Sequence, residues 1–373
     1  MISAKSIDPE GIKKIALVNF GGIGDEILFS PVIEEIRRYL PQAHITLFLE
    51  DRSRSVKDLL PGVDAIKELN VQDQSRRKTF FQLWGMLRNK YFDVVISSGS
   101  SPFIPVLLFL SGIPVRIGFG TGATSQRLLT VEAPLAPKHD RKGYAGQMYF
   151  ALAQSFLHWL LPDQYQPMQP VLPHLKPPAL EDLLWAKGIL KPDEPEKKIL
   201  VHPGVSTISV QKNILKSWPP GQWAELIQRL TSLGHKVYLV GGPDDRDAVE
   251  NIRQALPTEL PNFTNLYGQT KNLRQLAALI QQSDLLLCVD SSPMHMAVGY
   301  GKPVVAMFGP TDEKKLVPPE DPRFQVVAVQ DLACRPCLWD VRNECCDKPV
   351  CLDVPVSDFL SAANQALATS VHS

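Results

Sequence analysis

The chain has 373 residues, 44% of them hydrophobic and 21% charged, the composition of a soluble globular protein too long for a single core. Lysine plus arginine number 39 and aspartate plus glutamate number 39, so the net charge is zero and the basic excess of a nucleic-acid-wrapping protein is absent. The 32 prolines are dispersed, which marks turns and loop boundaries and excludes a proline-rich arm.

The opening MISAKSIDPEGIKKI is polar and mixed in charge, unlike a signal peptide, and points to a cytoplasmic protein. KIALVNF (14–20) then reads as a strand running into GGIGD, with an amphipathic helix from about Glu26 to Tyr39 and a second strand at HITLFLE (44–50). Further strands are expected at 64–69, 93–99 and 115–120, with helical spacing over 76–91 and 142–161. The most apolar stretch, Pro102 to Val115, holds three prolines and is too short to cross a bilayer; it reads as a buried helix or pocket wall rather than a membrane-touching segment. Six prolines between Pro162 and Pro178 mark a domain boundary. The pattern then restarts, with strands at 198–204, 235–242, 284–290 and 303–309, helices at 218–234, 244–256 and 272–283, and a terminal helix over 356–369. Short apolar runs alternating with helical runs mean parallel sheets covered on both faces. The expectation is an α/β protein of two doubly wound domains, 1–175 and 176–355, facing across a cleft, with ligands at the carboxyl ends of the strands.

Several motifs fall at those strand ends. In NFGGIGD the glycines do not follow the dinucleotide order, and Asp25 places negative charge on the helix's first turn, where a pyrophosphate would be repelled. A helix cap, a general base and, less readily, a phosphate-binding turn are the readings of that residue. In HPGVSTISVQKNILKSWPPGQW, Ser206, Thr207, Lys212 and Lys216 can receive a phosphate ahead of a helix. In GGPDD, Asp244 or Asp245 can accept a ribose hydroxyl pair. In the run from Cys288 to Pro303, Ser291 and Ser292 open a helix that can seat an anion, His295 lies one turn in, and Asp290 can hold a sugar hydroxyl or cap the helix. Each can also be ordinary helix and turn grammar; it is their joint placement along one sheet edge that points to a nucleotide sugar. Zinc-peptidase, α/β-hydrolase and P-loop signatures are absent.

Together these motifs resemble the heptosyltransferase family, the ADP-heptose:lipopolysaccharide glycosyltransferases (glycosyltransferase family nine). The resemblance rests on GIGDEILFSP (Gly22 to Pro31), on KSWPPGQWAEL (Lys216 to Leu226), and on the segment from Asp290 to Asp312, where Asp290, Ser291 and Ser292 lead into PMHMAVGYGKP and a later GPTD. It covers nearly the whole chain. It implies the two-domain GT-B fold and inverting transfer of a heptose or related sugar from a nucleotide-diphosphate donor, such as ADP-heptose, to an envelope glycan or lipid-linked acceptor. The first domain would hold the acceptor and the second the donor, and the 356–373 helix could return to the first domain. By the same resemblance Asp25 is the general base, Lys216 meets the donor phosphates, Asp290 and His295 bind the donor, and Asp244 lies near the nucleoside. Ser292 departs from the family's usual glycine. No catalytic cofactor or metal is expected, since no D-x-D pair lies near a strand end. Peripheral contact with the inner membrane is an expectation of the lipid-linked acceptor, and Arg52, Arg54, Arg76, Arg77 and Lys78 could meet its phosphates or simply form a solvated face. An inactive nucleotide-sugar or glycan-binding paralogue and a nucleotide-sugar epimerase are the competing functions; a dehydrogenase fits less well.

Five of the six cysteines fall between Cys334 and Cys351. Cys334, Cys337, Cys345 and Cys351 offer the ligands of a structural zinc, with a disulfide, free thiols or an iron–sulfur centre as the other readings. Such a staple is expected to lie away from the donor edge, and Cys288 to be core.

Overall fold

The computed structural model describes residues 7–88, 90–136, 143–205, 209, 211, 214–338, 346 and 349–369. Contacts divide the chain into two units, Met1–Lys176 and Pro177–Ser373. Each contains a six-stranded sheet whose pairings are all parallel, so the doubly wound expectation holds in both.

In the first unit the strands are β1 (Lys14–Val18), β2 (His44–Glu50), β3 (Ala65–Leu69), β4 (Val94–Ser97), β5 (Val115–Phe119) and β6 (Val131–Ala133), in the order β3-β2-β1-β4-β5-β6. The order reverses between β1 and β4, which opens a crevice at their carboxyl ends. The helices are α1 (Ile23–Tyr39), α2 (Arg76–Arg88), α3 (Phe103–Leu110), α4 (Ala123–Leu128) and α5 (Ala145–Leu160). Helix α1 packs on α5 and carries Pro31 in its interior. Proline has no N–H to give the carbonyl of Ile27; the Ser30 hydroxyl donates to that carbonyl instead (2.7 Å) and accepts from the His174 N–H (3.0 Å), so no acceptor is stranded.

The second unit repeats the design with β7 (Lys198–His202), β8 (Lys236–Leu239), β9 (Phe263–Asn265), β10 (Leu285–Val289), β11 (Val304–Phe308) and β12 (Phe324–Ala328), ordered β12-β11-β10-β7-β8-β9. Its reversal lies between β7 and β10. The helices are α6 (Leu180–Leu190), α7 (Pro220–Ser232), α8 (Arg246–Ala255), α9 (Leu273–Gln282), α10 (Ser292–Gly299), α11 (Glu313–Leu316) and α12 (Val356–Thr369). The two tryptophans of KSWPPGQW are structural: Trp218 and Trp223 meet edge-on at 5.0 Å, and Phe359 of α12 packs on both, at 5.2 and 5.4 Å. The Trp218 indole N–H donates to the Val354 carbonyl (3.2 Å), fixing the chain as it enters α12. The buried face of α12 belongs to the core of the second unit, where it contacts α7, β10, β11 and β12. No described helix is long and apolar enough to cross a membrane.

Candidate active site

At the carboxyl end of β1 the chain turns through Asn19–Gly22 and enters α1 at Ile23, three residues earlier than the amphipathic pattern indicates. Gly22 is the N-cap, and having no side chain to cap with it is served from within the helix: its N–H donates to Asp25 Oδ2 (2.8 Å). A β-carbon on Gly21 would stand 2.4 Å from the Asp25 β-carbon, so the fold-back of this carboxylate requires glycine there. The Ser53 hydroxyl donates to the Gly21 carbonyl (2.6 Å) and closes the turn from the side. The cap reading of Asp25 is thus realised, and it leaves the carboxylate half-buried on a rigid element beside the β1–β4 reversal.

Next to it sits a residue that the sequence motifs do not single out. Glu26 has no solvent exposure. Burial pushes its pKa well above the ordinary 4.5; the Asn19 amide opposes this, and the charges of Asp25 and Glu50 add to it. Glu50 is itself buried, paired with Arg52 and accepting from the Gln72 amide (3.1 Å). Tyr149 on α5 completes the surroundings, its hydroxyl held protonated by burial and by the charges of Asp25 and Glu26. The available signal was a glutamate at the head of the otherwise apolar run EILFSPVI. Arg52 is thus spent on Glu50, while Arg54 and the α2 trio Arg76, Arg77 and Lys78 are exposed.

In the second unit Lys216, Asp290 and His295 come together at the carboxyl end of β10. Lys216 Nζ stands 2.6 Å from Asp290 Oδ2 and 3.4 Å from the Asp290 carbonyl, with both side chains largely buried. His295 is buried, its Nδ1 lacks a partner, and burial lowers its pKa to about 4 despite the pull of Asp290, with Lys216 lowering it further. Ser291 is the N-cap of α10, but its hydroxyl turns to the Val289 carbonyl (3.2 Å) rather than to the helix; Ser292 is the first helical residue. An ammonium, a neutral imidazole and a helix start are thus gathered at one strand end, a seat for an anionic, hydroxyl-bearing ligand.

The neighbouring strand ends are locked to each other. Asp245 accepts from the Gly242 N–H (2.8 Å) and lies 3.4 Å from His202 Nε2 at the end of β7. A β-carbon on Gly204 would come within 1.7 Å of Asp245 Oδ1, so the HPG turn admits this carboxylate only because residue 204 is glycine. Burial lowers the His202 pKa and Asp245 opposes it. Of the two acids offered by GGPDD, Asp245 is structural, and Asp244 is exposed and open to a ligand. Ser206, Thr207 and Lys212 lie outside the described residues.

The cysteine segment departs from expectation. Among the described residues no group of three or more metal-ligating side chains exists, so the structural zinc is not supported; Cys334, Cys337 and Cys351 are free thiols and Cys345 lies outside the described residues. Cys334 is exposed, whereas Cys351 is buried beneath Gly309. The segment also lies against the turn that follows β11. Arg335 donates to the carbonyls of Gly309 (2.6 Å), Thr311 (3.2 Å) and Val329 (3.1 Å) and to Glu313 (2.7 Å), while the Cys337 N–H donates to the Pro310 carbonyl (3.0 Å). The stretch around Arg335 therefore braces the GPTD turn after β11. Cys288 is core, as expected.

Against known proteins, the family model "Glycosyltransferase family 9 (heptosyltransferase)" matches residues 80–346. The chain is 25% identical over 302 residues to lipopolysaccharide heptosyltransferase 3 of Escherichia coli, covering 78% of this chain and 81% of the relative. The structure of E. coli ADP-heptose lps heptosyltransferase II aligns at a TM-score of 0.68 and 23% identity, over 96% of this chain and 99% of that one. A glycosyl transferase family 9 structure from Veillonella parvula aligns at 0.71 and 20% identity, over 97% and 99%. Two doubly wound units, motifs at their strand ends and a family match across most of the chain agree: this protein belongs to glycosyltransferase family 9, the heptosyltransferases, and is a glycosyltransferase.

Proposed function

We propose that this enzyme transfers a heptose or a close relative from a nucleotide-diphosphate donor, ADP-heptose by the names of its relatives, to a hydroxyl of an envelope glycan or lipid-linked acceptor. The observation that carries this reading is the grouping of Lys216, Asp290 and His295 at the strand-order reversal of the second sheet, next to the start of α10. As the bond from the anomeric carbon to the phosphate oxygen breaks, the electron pair leaves with the diphosphate. Lys216 has three N–H donors; Asp290 orients the ammonium, and the leaving phosphate takes up what remains. The neutral His295 donates or accepts a hydrogen bond without adding charge, and the exposed Asp244 suits a ribose diol. The countercharge comes from the protein's own cation and helix start, so the scheme requires no divalent metal.

Asp25 supplies the base. Its carboxylate takes the acceptor hydroxyl's proton while the oxygen attacks the anomeric carbon from the face opposite the diphosphate, a single displacement that inverts configuration. Holding one carboxylate oxygen on the Gly22 N–H fixes the direction of the other, which favours the near-attack geometry. A lipid-linked acceptor implies work at the cytoplasmic face of the inner membrane, with the enzyme bound peripherally.

Asp25→Asn tests the assignment, since the amide keeps the size of the carboxylate and an oxygen for the Gly22 N–H but cannot take a proton. Single-turnover transfer is expected to fall by roughly 10²–10⁴-fold with donor affinity unchanged. Near-normal turnover per folded molecule would leave Asp25 as a helix cap only.

A further inference from the structure

The segment around α3 is not the buried helix its composition suggests. Phe103, Phe109 and Leu110 are 69%, 51% and 49% exposed, and Phe81 on the adjoining α2 is 64% exposed. The two helices pack on one another, and Leu83, Leu87, Leu107 and Leu108 satisfy the core, so these outer side chains are surplus to it. They are also tied together. The Trp84 indole N–H donates to the Leu110 carbonyl (2.8 Å), the Arg88 guanidinium lies 5.3 Å from the Trp84 ring, and that of Arg116 lies 5.6 Å from the Phe109 ring. Along α2, Arg77, Phe81, Trp84 and Arg88 recur at intervals of four, three and four residues, which is one helical face.

The charge on this surface is of one sign. Helix α2 carries Arg76, Arg77, Lys78 and Arg88 and no acidic residue, and α3 carries no charge at all. Beside the end of α2, Lys14, Lys67 and Lys90 border a cavity of about 450 Å³ that has no carboxylate in its lining. Aromatic and leucine side chains set among unopposed cations match an anionic bilayer surface, where rings enter the headgroup boundary and guanidinium groups meet lipid phosphates.

We infer that the α2–α3 face docks this chain on the surface of an anionic lipid bilayer. This deepens the peripheral membrane contact proposed above and rests on that reading. The test is flotation of the full-length protein with phosphatidylcholine vesicles, with and without phosphatidylglycerol. The native protein is expected to bind the anionic vesicles in a salt-sensitive way. The variant Phe81→Ser/Phe109→Ser/Leu110→Ser should lose at least about tenfold in partitioning, and Arg77→Gln/Lys78→Gln/Arg88→Gln about fivefold per charge. Transfer to a water-soluble, delipidated acceptor should be unchanged in the Phe81→Ser/Phe109→Ser/Leu110→Ser variant. Absence of vesicle binding by the native protein, equal binding to neutral vesicles, or unaltered binding by the variants would each overturn the inference. Failure of the native protein to transfer to the soluble acceptor would instead count against the proposed reaction, and the vesicle result would be read independently.

Discussion

Glu26 makes a stability prediction that no exposed glutamate would. Its pKa is raised above the ordinary 4.5 when folded, so from 4.5 upward the native state holds a proton that the unfolded chain has released. Stability contributed by such a group is fully present below the unfolded pKa and is lost as pH rises toward the folded one. The slope approaches about 1.4 kcal/mol per pH unit within that window. Glu26→Gln is neutral at every pH and removes the term. Below the window the variant should be the less stable protein by about 1–2 kcal/mol, the penalty of a buried amide with more donors to satisfy. As pH rises through the window the native protein loses this contribution while the variant does not, so the gap between them should narrow and then reverse. His202 and His295, buried and favoured neutral, titrate with the opposite sign in acid, but they are common to both proteins and cancel in the difference. Denaturant unfolding of both proteins over mildly acidic to mildly alkaline pH reads this directly. Parallel stability curves would refute a neutral Glu26 and with it the described electrostatics beside Asp25.

Arg335→Ala strips three backbone carbonyls and Glu313 of their shared donor, and should cost about 3 kcal/mol in unfolding experiments; donor affinity should fall as well, because the GPTD turn loses its brace. Lys216→Ala leaves the Asp290 carboxylate buried without its ammonium, a loss of about 3 kcal/mol that Lys216→Ala/Asp290→Asn should largely restore. Donor affinity, measured by calorimetry, should stay low in both; its recovery in the double variant would reduce Lys216 to a structural role.

The alternation of apolar runs and amphipathic helices is enough to read both sheets, because parallel strands covered on two faces are continuous apolar runs. Three edge strands are not legible in this way: β6 and β9 are only three residues long, and all three of β6, β9 and β12 are partly exposed, so neither period nor composition sets them apart from loops. Residues 102–115 mislead for the opposite reason. Apolarity says that a side chain prefers burial, not that the fold has room for it, and the core is already filled by Leu107 and Leu108. Motifs identify which residues to watch but not how they pair. Lys216 and Asp290 are 74 positions apart, and their ion pair exists only because β7 and β10 are neighbours in the sheet. The cysteine spacing likewise fits a metal on paper, whereas the same segment serves the turn after β11 through Arg335, whose role no spacing announces.

Transfer itself is the most direct test. Purified protein is mixed with ADP-heptose in single turnover, with and without an acceptor glycan lacking the heptose. ADP release should depend on the acceptor, and the product should carry the heptose with inverted anomeric configuration. ADP released at the same rate without acceptor, a heptose returned as a free epimer, or tight donor binding with no transfer to any envelope acceptor would contradict the proposed reaction.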